Sequence, residues 1–218
     1  MTPPSTTRRS AMPRTRIKIC GLTREEDVDA AVDAGADALG FVLWPGSSRA
    51  IDPGRLAHLA ARVPAFVTRV GLFVDQDPAF VERCAPWLDL IQYHGDEAPE
   101  QCRRSPRDWI KALRMRDGLD LPAAAEAYRE ARALLLDAYK PGVPGGTGEV
   151  FDWSRIPASL AKPVILAGGL GPHNVGEAIR TVRPFAVDVS GGVERERGVK
   201  DPAKLRAFIH QVTLSQDS

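Results

Sequence analysis

From Ile17 onward, short apolar or β-branched runs alternate with segments whose apolar residues recur three and four apart, the pattern of strands followed by helices. The predicted strands are Arg16 to Cys20, Ala38 to Leu43, Phe66 to Val74, Leu88 to Tyr93, Trp109 to Leu113, Ala133 to Asp137, Pro163 to Ala167 and Phe185 to Val189. Each is short and mostly apolar, as a parallel strand covered on both faces should be. Three helix starts carry Asp-Pro, at Asp52-Pro53, Asp77-Pro78 and Asp201-Pro202. There the Asp can accept from first-turn N–H groups, and Pro loses nothing at the first helical position. Thr23-Arg24-Glu25-Glu26 has capping-box spacing, and Val28, Ala31 and Val32 follow on one apolar face. Further helices are expected near Glu97 to Arg104 and Pro122 to Arg132.

Eight such alternations, with no Pro- or Ser-rich linker between them, predict an α/β protein with a single (β/α)8 TIM barrel over residues 17–218. Residues 1–16 read as a disordered extension, with Met12 as an alternative start. The competing doubly wound sheet usually carries GxGxxG after its first strand, whereas here Cys20-Gly21-Leu22-Thr23 follows.

Charge and cysteine content narrow the functional classes. The 218 residues hold 29 Lys plus Arg against 28 Asp plus Glu. Arg8, Arg9, Arg14 and Arg16 all lie in the extension, leaving 25 cations against 28 acids in the barrel. That balance argues against a nucleic-acid partner. No apolar run is long enough for a membrane span, and Cys20, Cys84 and Cys102 lack metal or disulfide spacing, so a cytoplasmic setting is expected.

In a barrel the reacting groups lie at the C-terminal ends of the strands and in the loops beyond. Those positions hold Lys18 and Cys20, Arg49, Gln92 and His94, Asp137, Gly168 and Gly169, and Asp188 and Ser190. Glycines after strands seven and eight, Gly168-Gly169 and Gly191-Gly192, suit close backbone approach to a phosphate, so a phosphorylated small molecule is the expected ligand. Gly145-Gly146-Thr147-Gly148 reads as a lid.

Alternation puts Lys18 and Cys20 inside the barrel and Ile17 and Ile19 against the helices. A thiol beside a cation would be thiolate-prone and suited to act as base or nucleophile. Lys18 reads as the structural partner of Asp188, with a Schiff-base lysine as the alternative. Asp137 ends an apolar strand and is either a proton donor or a loop-start carboxylate binding backbone N–H groups. Its placement across the mouth from Cys20 favours an acid–base pair. Arg49 is a carboxylate clamp or a solvated loop charge. His94 reads as a hydrogen-bonded loop histidine; with no further ligands at metal spacing, no metal is assigned, and Cys84 and Cys102 read as packing residues.

The chain resembles the phosphoribosylanthranilate isomerase family from about Arg16 to Ile209. The resemblance rests on Lys18-Ile19-Cys20-Gly21-Leu22-Thr23, Ile91-Gln92-Tyr93-His94-Gly95-Asp96-Glu97, Leu136-Asp137 with Gly145-Gly146-Thr147-Gly148 and Phe151-Asp152-Trp153, Ala167-Gly168-Gly169-Leu170 with Asn174-Val175, and Val187 to Glu194 before Gly198-Val199-Lys200-Asp201. It implies the Amadori rearrangement of N-(5-phosphoribosyl)anthranilate without metal or organic cofactor. By the same resemblance, Asp137 is the general acid, Cys20 the general base and Arg49 the anthranilate-carboxylate residue. The loops with Gly168, Gly169, Ser190 and Gly191 match the phosphate site; Gln92, His94 and Gly146 are further expected substrate contacts. Ser48 and Gly191 depart from the common Pro and Ser of the family, and Cys20 favours one substrate over a related aminoaldose as well. Members of this kind are often monomers, and a monomer is expected here.

Overall fold

A computed structural model describes residues 14–138 and 151–215. The eight barrel strands are β1 (Arg16–Cys20), β2 (Ala38–Val42), β3 (Thr68–Phe73), β4 (Leu90–Tyr93), β5 (Trp109–Arg114), β6 (Leu134–Asp137), β7 (Val164–Leu166) and β8 (Ala186–Val189). They pair in chain order, all parallel, and β8 closes on β1 with Lys18 in register with Asp188. A two-stranded antiparallel hairpin, β9 (Glu194–Glu196) and β10 (Val199–Lys200), follows β8. The helices are α1 (Glu25–Ala34), α2 (Pro53–Ala60), α3 (Pro78–Cys84), α4 (Pro99–Cys102), α5 (Leu121–Ala127), α6 (Val175–Val182) and α7 (Pro202–Leu214). Among the described residues no helix is long and apolar enough to cross a membrane.

The period-two alternation of the strands separates two cores. Ile17, Ile19, Leu39, Phe41 and Phe73 point outward and are buried beneath the helices, whereas Ile110, Ala112, Leu135, Ile165 and Ala186 fill the barrel interior. The outer layer is sealed in the same way by α7, whose buried Leu205, Phe208, Ile209 and Val212 recur at helical spacing and face α1 and α6.

Local signals account for most helix starts. Asp52 accepts from the Arg55 N–H at 2.8 Å, Asp77 from Ala79 at 2.7 Å, and Asp201 from Ala203 at 2.8 Å. Asp120 does the same for Ala123 at 2.9 Å, starting α5 one residue ahead of its predicted Pro122. The capping box does not form. Arg24 is the N-cap of α1 without a side-chain bond, and Thr23 Oγ1 instead donates to the Gly198 carbonyl at 2.8 Å. The hydroxyl donates to a tertiary carbonyl instead of accepting from the first turn of its own helix.

Two strand starts and two helices also differ from the sequence pattern, α5 ending at Ala127 rather than at the expected Arg132. Phe66 lies outside β3 with φ 70°, in the left-handed region, and its side chain is fully exposed; Leu88 closes a short 3-10 turn ahead of β4. The helix expected over Glu97 to Arg104 shortens to Pro99–Cys102, because Glu97 turns inward to pair with buried Lys111 at 2.8 Å. Cys84 and Cys102 lie buried in α3 and α4, and burial pushes the Cys102 thiol up to about 12, as expected of a packing residue.

Candidate active site

The C-terminal mouth of the barrel encloses a cavity of about 490 Å³. Cys20 from β1, Arg49 from the loop after β2, His94 after β4, Asp137 from β6, Gly168 and Gly169 after β7, and Ser190 and Gly191 after β8 all line it. Gln92 is fully buried beneath His94, and Gly146 lies outside the described residues with the rest of the expected lid, as does the extension through residue 13.

On the β1 side, Lys18 Nζ donates to Asp188 Oδ1 at 2.8 Å, and both side chains are buried. Asp188 and the nearby thiol hold the Lys18 ammonium protonated against desolvation, raising its pKa. A Schiff base requires the free amine, so this environment opposes the aldolase alternative. Cys20 stands above this pair. A Cβ on Gly40 would come within 2.7 Å of Cys20 Sγ and 3.1 Å of Lys18 Nζ, so a glycine on β2 leaves the room both groups occupy. The expected thiolate-prone state is not what this setting produces: burial pushes the thiol pKa up, and the opposing attraction of Lys18 does not cancel it.

On the β6 side the arrangement is a relay. Gln92 Nε2 donates to His94 Nδ1 at 2.9 Å, which places the ring proton on Nε2, 3.2 Å from Asp137 Oδ2. Gln92 Oε1 is buried and has no partner among the described residues. The relay gives His94 a defined tautomer and turns Asp137 toward it.

Several cavity residues received no role from sequence. Arg114 is in register with Asp137 and lines the cavity, its Nη2 3.4 Å from the His94 carbonyl, with no carboxylate partner among the described residues. The period-two rule would have found it, since Ile110, Ala112 and Arg114 share a face, had β5 been extended one residue past Leu113. Glu194 and Lys200 are buried behind Arg49. Both were visible only as members of the motifs that carry the resemblance, Val187 to Glu194 and Gly198 to Asp201.

The glycine loops offer donors. Gly168 turns with φ 80°, and a Cβ there would meet the Ala138 nitrogen at 2.3 Å, so no other residue fits. The N–H groups of Gly169, Gly191 and Gly192 have no hydrogen-bond acceptor among the described residues. Also among the described residues, no group of three or more His, Cys, Asp or Glu is placed to hold a metal ion.

A family model for N-(5'-phosphoribosyl)anthranilate isomerase matches residues 17–211. The chain is 72% identical over 207 residues to the N-(5'-phosphoribosyl)anthranilate isomerase of Chromohalobacter salexigens, covering 95% of this chain and 98% of the relative. It is 53% identical to that of Nitrosococcus oceani, covering 91% and 98%. The crystal structure of phosphoribosylanthranilate isomerase from Thermotoga maritima superposes with TM-score 0.85 at 40% identity, covering 91% of this chain and 98% of that one. A further solved isomerase, in complex with reduced 1-(o-carboxyphenylamino)-1-deoxyribulose 5-phosphate, superposes at 0.81 with 40% identity and the same coverage. With its closed eight-stranded barrel and a match over nearly its whole length, the chain belongs to the N-(5'-phosphoribosyl)anthranilate isomerase family.

Proposed function

We propose that the chain carries out the Amadori rearrangement of N-(5-phosphoribosyl)anthranilate to 1-(2-carboxyphenylamino)-1-deoxyribulose 5-phosphate, a step of tryptophan biosynthesis, with Asp137 as general acid and Cys20 as general base. One observation carries the reading: a single cavity is lined by the carboxyl of β6 and the thiol of β1, with an arginine and two glycine loops around them.

Asp137 gives a proton to the ribose ring oxygen as the C1–O bond breaks, and the anthranilate nitrogen lone pair forms the iminium. That cation acidifies the C2–H bond, so a base of moderate strength suffices. Cys20 takes the C2 proton from its minor thiolate form: burial raises the thiol's pKa, and Lys18 offsets that only in part. The enolamine then ketonises, with a proton taken up at C1 and one lost from the C2 hydroxyl, so substrate and product have the same atoms. Arg49 is read as holding the anthranilate carboxylate. The N–H groups of Gly169, Gly191 and Gly192, without acceptors among the described residues, support a phosphate site there. Gln92 and His94 orient Asp137. The barrel from Arg16, the first residue of β1, is proposed as the working unit, monomeric and cytoplasmic; the extension expected through residue 16 stops short of it, since Arg16 pairs with Ala186 of β8 and Thr15 is buried.

The test is the loss of substrate fluorescence when the purified chain meets freshly generated phosphoribosylanthranilate in the presence of a chelator. Loss faster than spontaneous hydrolysis, with no free anthranilate released, is expected. Rates no faster than the uncatalysed background would remove the assignment.

A further inference from the structure

Arg49 does not present its whole guanidinium to the cavity. Its Nε donates to Glu194 Oε1 and its Nη2 to Glu194 Oε2, both at 2.7 Å, so the side edge of the fork is already gripped. Two of the five guanidinium N–H groups are used in this way; the remaining three, two of them on the end edge between Nη1 and Nη2, have no partner among the described residues. Glu194 is shared: its Oε1 also accepts from Lys200 Nζ at 2.8 Å, and the same ammonium donates to the Ser190 carbonyl at 3.1 Å. The Arg49, Glu194 and Lys200 side chains are 17%, 5% and 0% exposed, so these bonds form where water competes little. One carboxylate serving two buried cations leaves each incompletely paired, which favours a second anion on the open edge. The arginine is also confined by its surroundings: a Cβ on Gly21 would lie 2.5 Å from its Cδ, and one on Gly191 3.5 Å from its Nη2.

We propose that Glu194 is a positioning residue for substrate recognition. It grips the side edge of Arg49, turns the end edge to a ligand carboxylate, and through Lys200 and the Ser190 carbonyl ties that fork to the phosphate loop. Preorganisation of this kind removes the ordering cost of a long side chain from the binding step. The role rests on the reading of Arg49 as the carboxylate-binding residue.

Two product analogues test it: reduced 1-(2-carboxyphenylamino)-1-deoxyribulose 5-phosphate and its phenylamino counterpart without the carboxyl group. Their dissociation constants are measured by calorimetry on wild type, Glu194→Gln and Glu194→Asp. Wild type is expected to favour the carboxylated ligand by about tenfold or more, the worth of a charged bidentate contact. Glu194→Gln is expected to erase most of that preference while the carboxyl-free analogue binds within about threefold of wild type. Glu194→Asp keeps the charge but is too short to hold Nε, Nη2 and Lys200 together, so the preference should fall part of the way; it carries the test if the Gln variant does not fold. Equal weakening of both ligands, with the preference intact, would overturn the positioning role and leave Glu194 structural. No preference in wild type would overturn the Arg49 reading itself, and this proposal with it.

Discussion

On the β1 side of the mouth, Cys20 stands among fixed charges: the Lys18–Asp188 pair below it and the Arg49–Glu194–Lys200 group beside it, all held at 2.7 to 2.8 Å. On the β6 side, Asp137 touches a hydrogen-bond relay from Gln92 through His94. Buried ion pairs resist rearrangement, because moving one partner exposes the other as an unpaired charge. Shifting a donor within a relay of amide and imidazole hydrogen bonds costs less, about 0.5–1.5 kcal/mol per bond. The proton affinity of the thiol is therefore set by static electrostatics, whereas the carboxyl side is held by hydrogen bonds that a ligand can rearrange.

The strongest test of this contrast removes each reacting group. Cys20→Ser and Asp137→Asn should each lower turnover by about 10²- to 10⁴-fold while far-UV circular dichroism stays unchanged. Turnover close to wild type in either variant would break the pairing of the two sides.

The next effect separates the sides by stability. Asp188→Asn leaves the Lys18 ammonium buried without its carboxylate and should cost about 3–5 kcal/mol in urea unfolding. His94→Gln disturbs only hydrogen bonds and should cost about 0.5–1.5 kcal/mol. Similar losses from both would mean that the two sides are held alike.

Titration follows. Since the folded-state thiol pKa lies above its ordinary value, Cys20 should be mostly thiol at neutral pH, with iodoacetamide alkylation accelerating as pH rises through the raised value. Lys18→Met removes the attraction that opposes the shift, so the profile should move to still higher pH. A move to lower pH would show that Lys18 is not what restrains the shift. Glu194 behaves oppositely: Arg49 and Lys200 outweigh burial and hold its carboxyl below the ordinary 4.5, so its contribution to stability is present above 4.5 and lost as acid titrates it. Unfolding free energies of wild type and Glu194→Gln should therefore converge as pH falls below 4.5.

The smallest effect concerns the hydrogen bond that ties α1 to the hairpin. Thr23→Val loses one bond to the Gly198 carbonyl and should cost about 0.5–1.5 kcal/mol, with wild-type ligand preference retained. A larger loss, or a changed preference, would make the entry to α1 part of the charged side.

The βα alternation, the Asp caps at Asp52, Asp77 and Asp201, and the placement of Cys20, His94 and Asp137 at strand ends were legible from sequence alone. Each depends on a period of two or 3.6 residues or on a bond spanning two or three positions, so neighbours in the chain suffice to specify it. Only closure of the barrel decided the rest. Arg49 meets a carboxylate 145 positions away, and Thr23 abandons its own helix for a carbonyl 175 positions on. The proton affinity of Cys20 moved opposite to the expectation because adjacency to Lys18 is written in the strand, while burial exists only once eight strands surround the thiol. Local hydrogen bonding and periodicity are properties of the chain; desolvation and the sharing of charge between distant segments are properties of the packed fold.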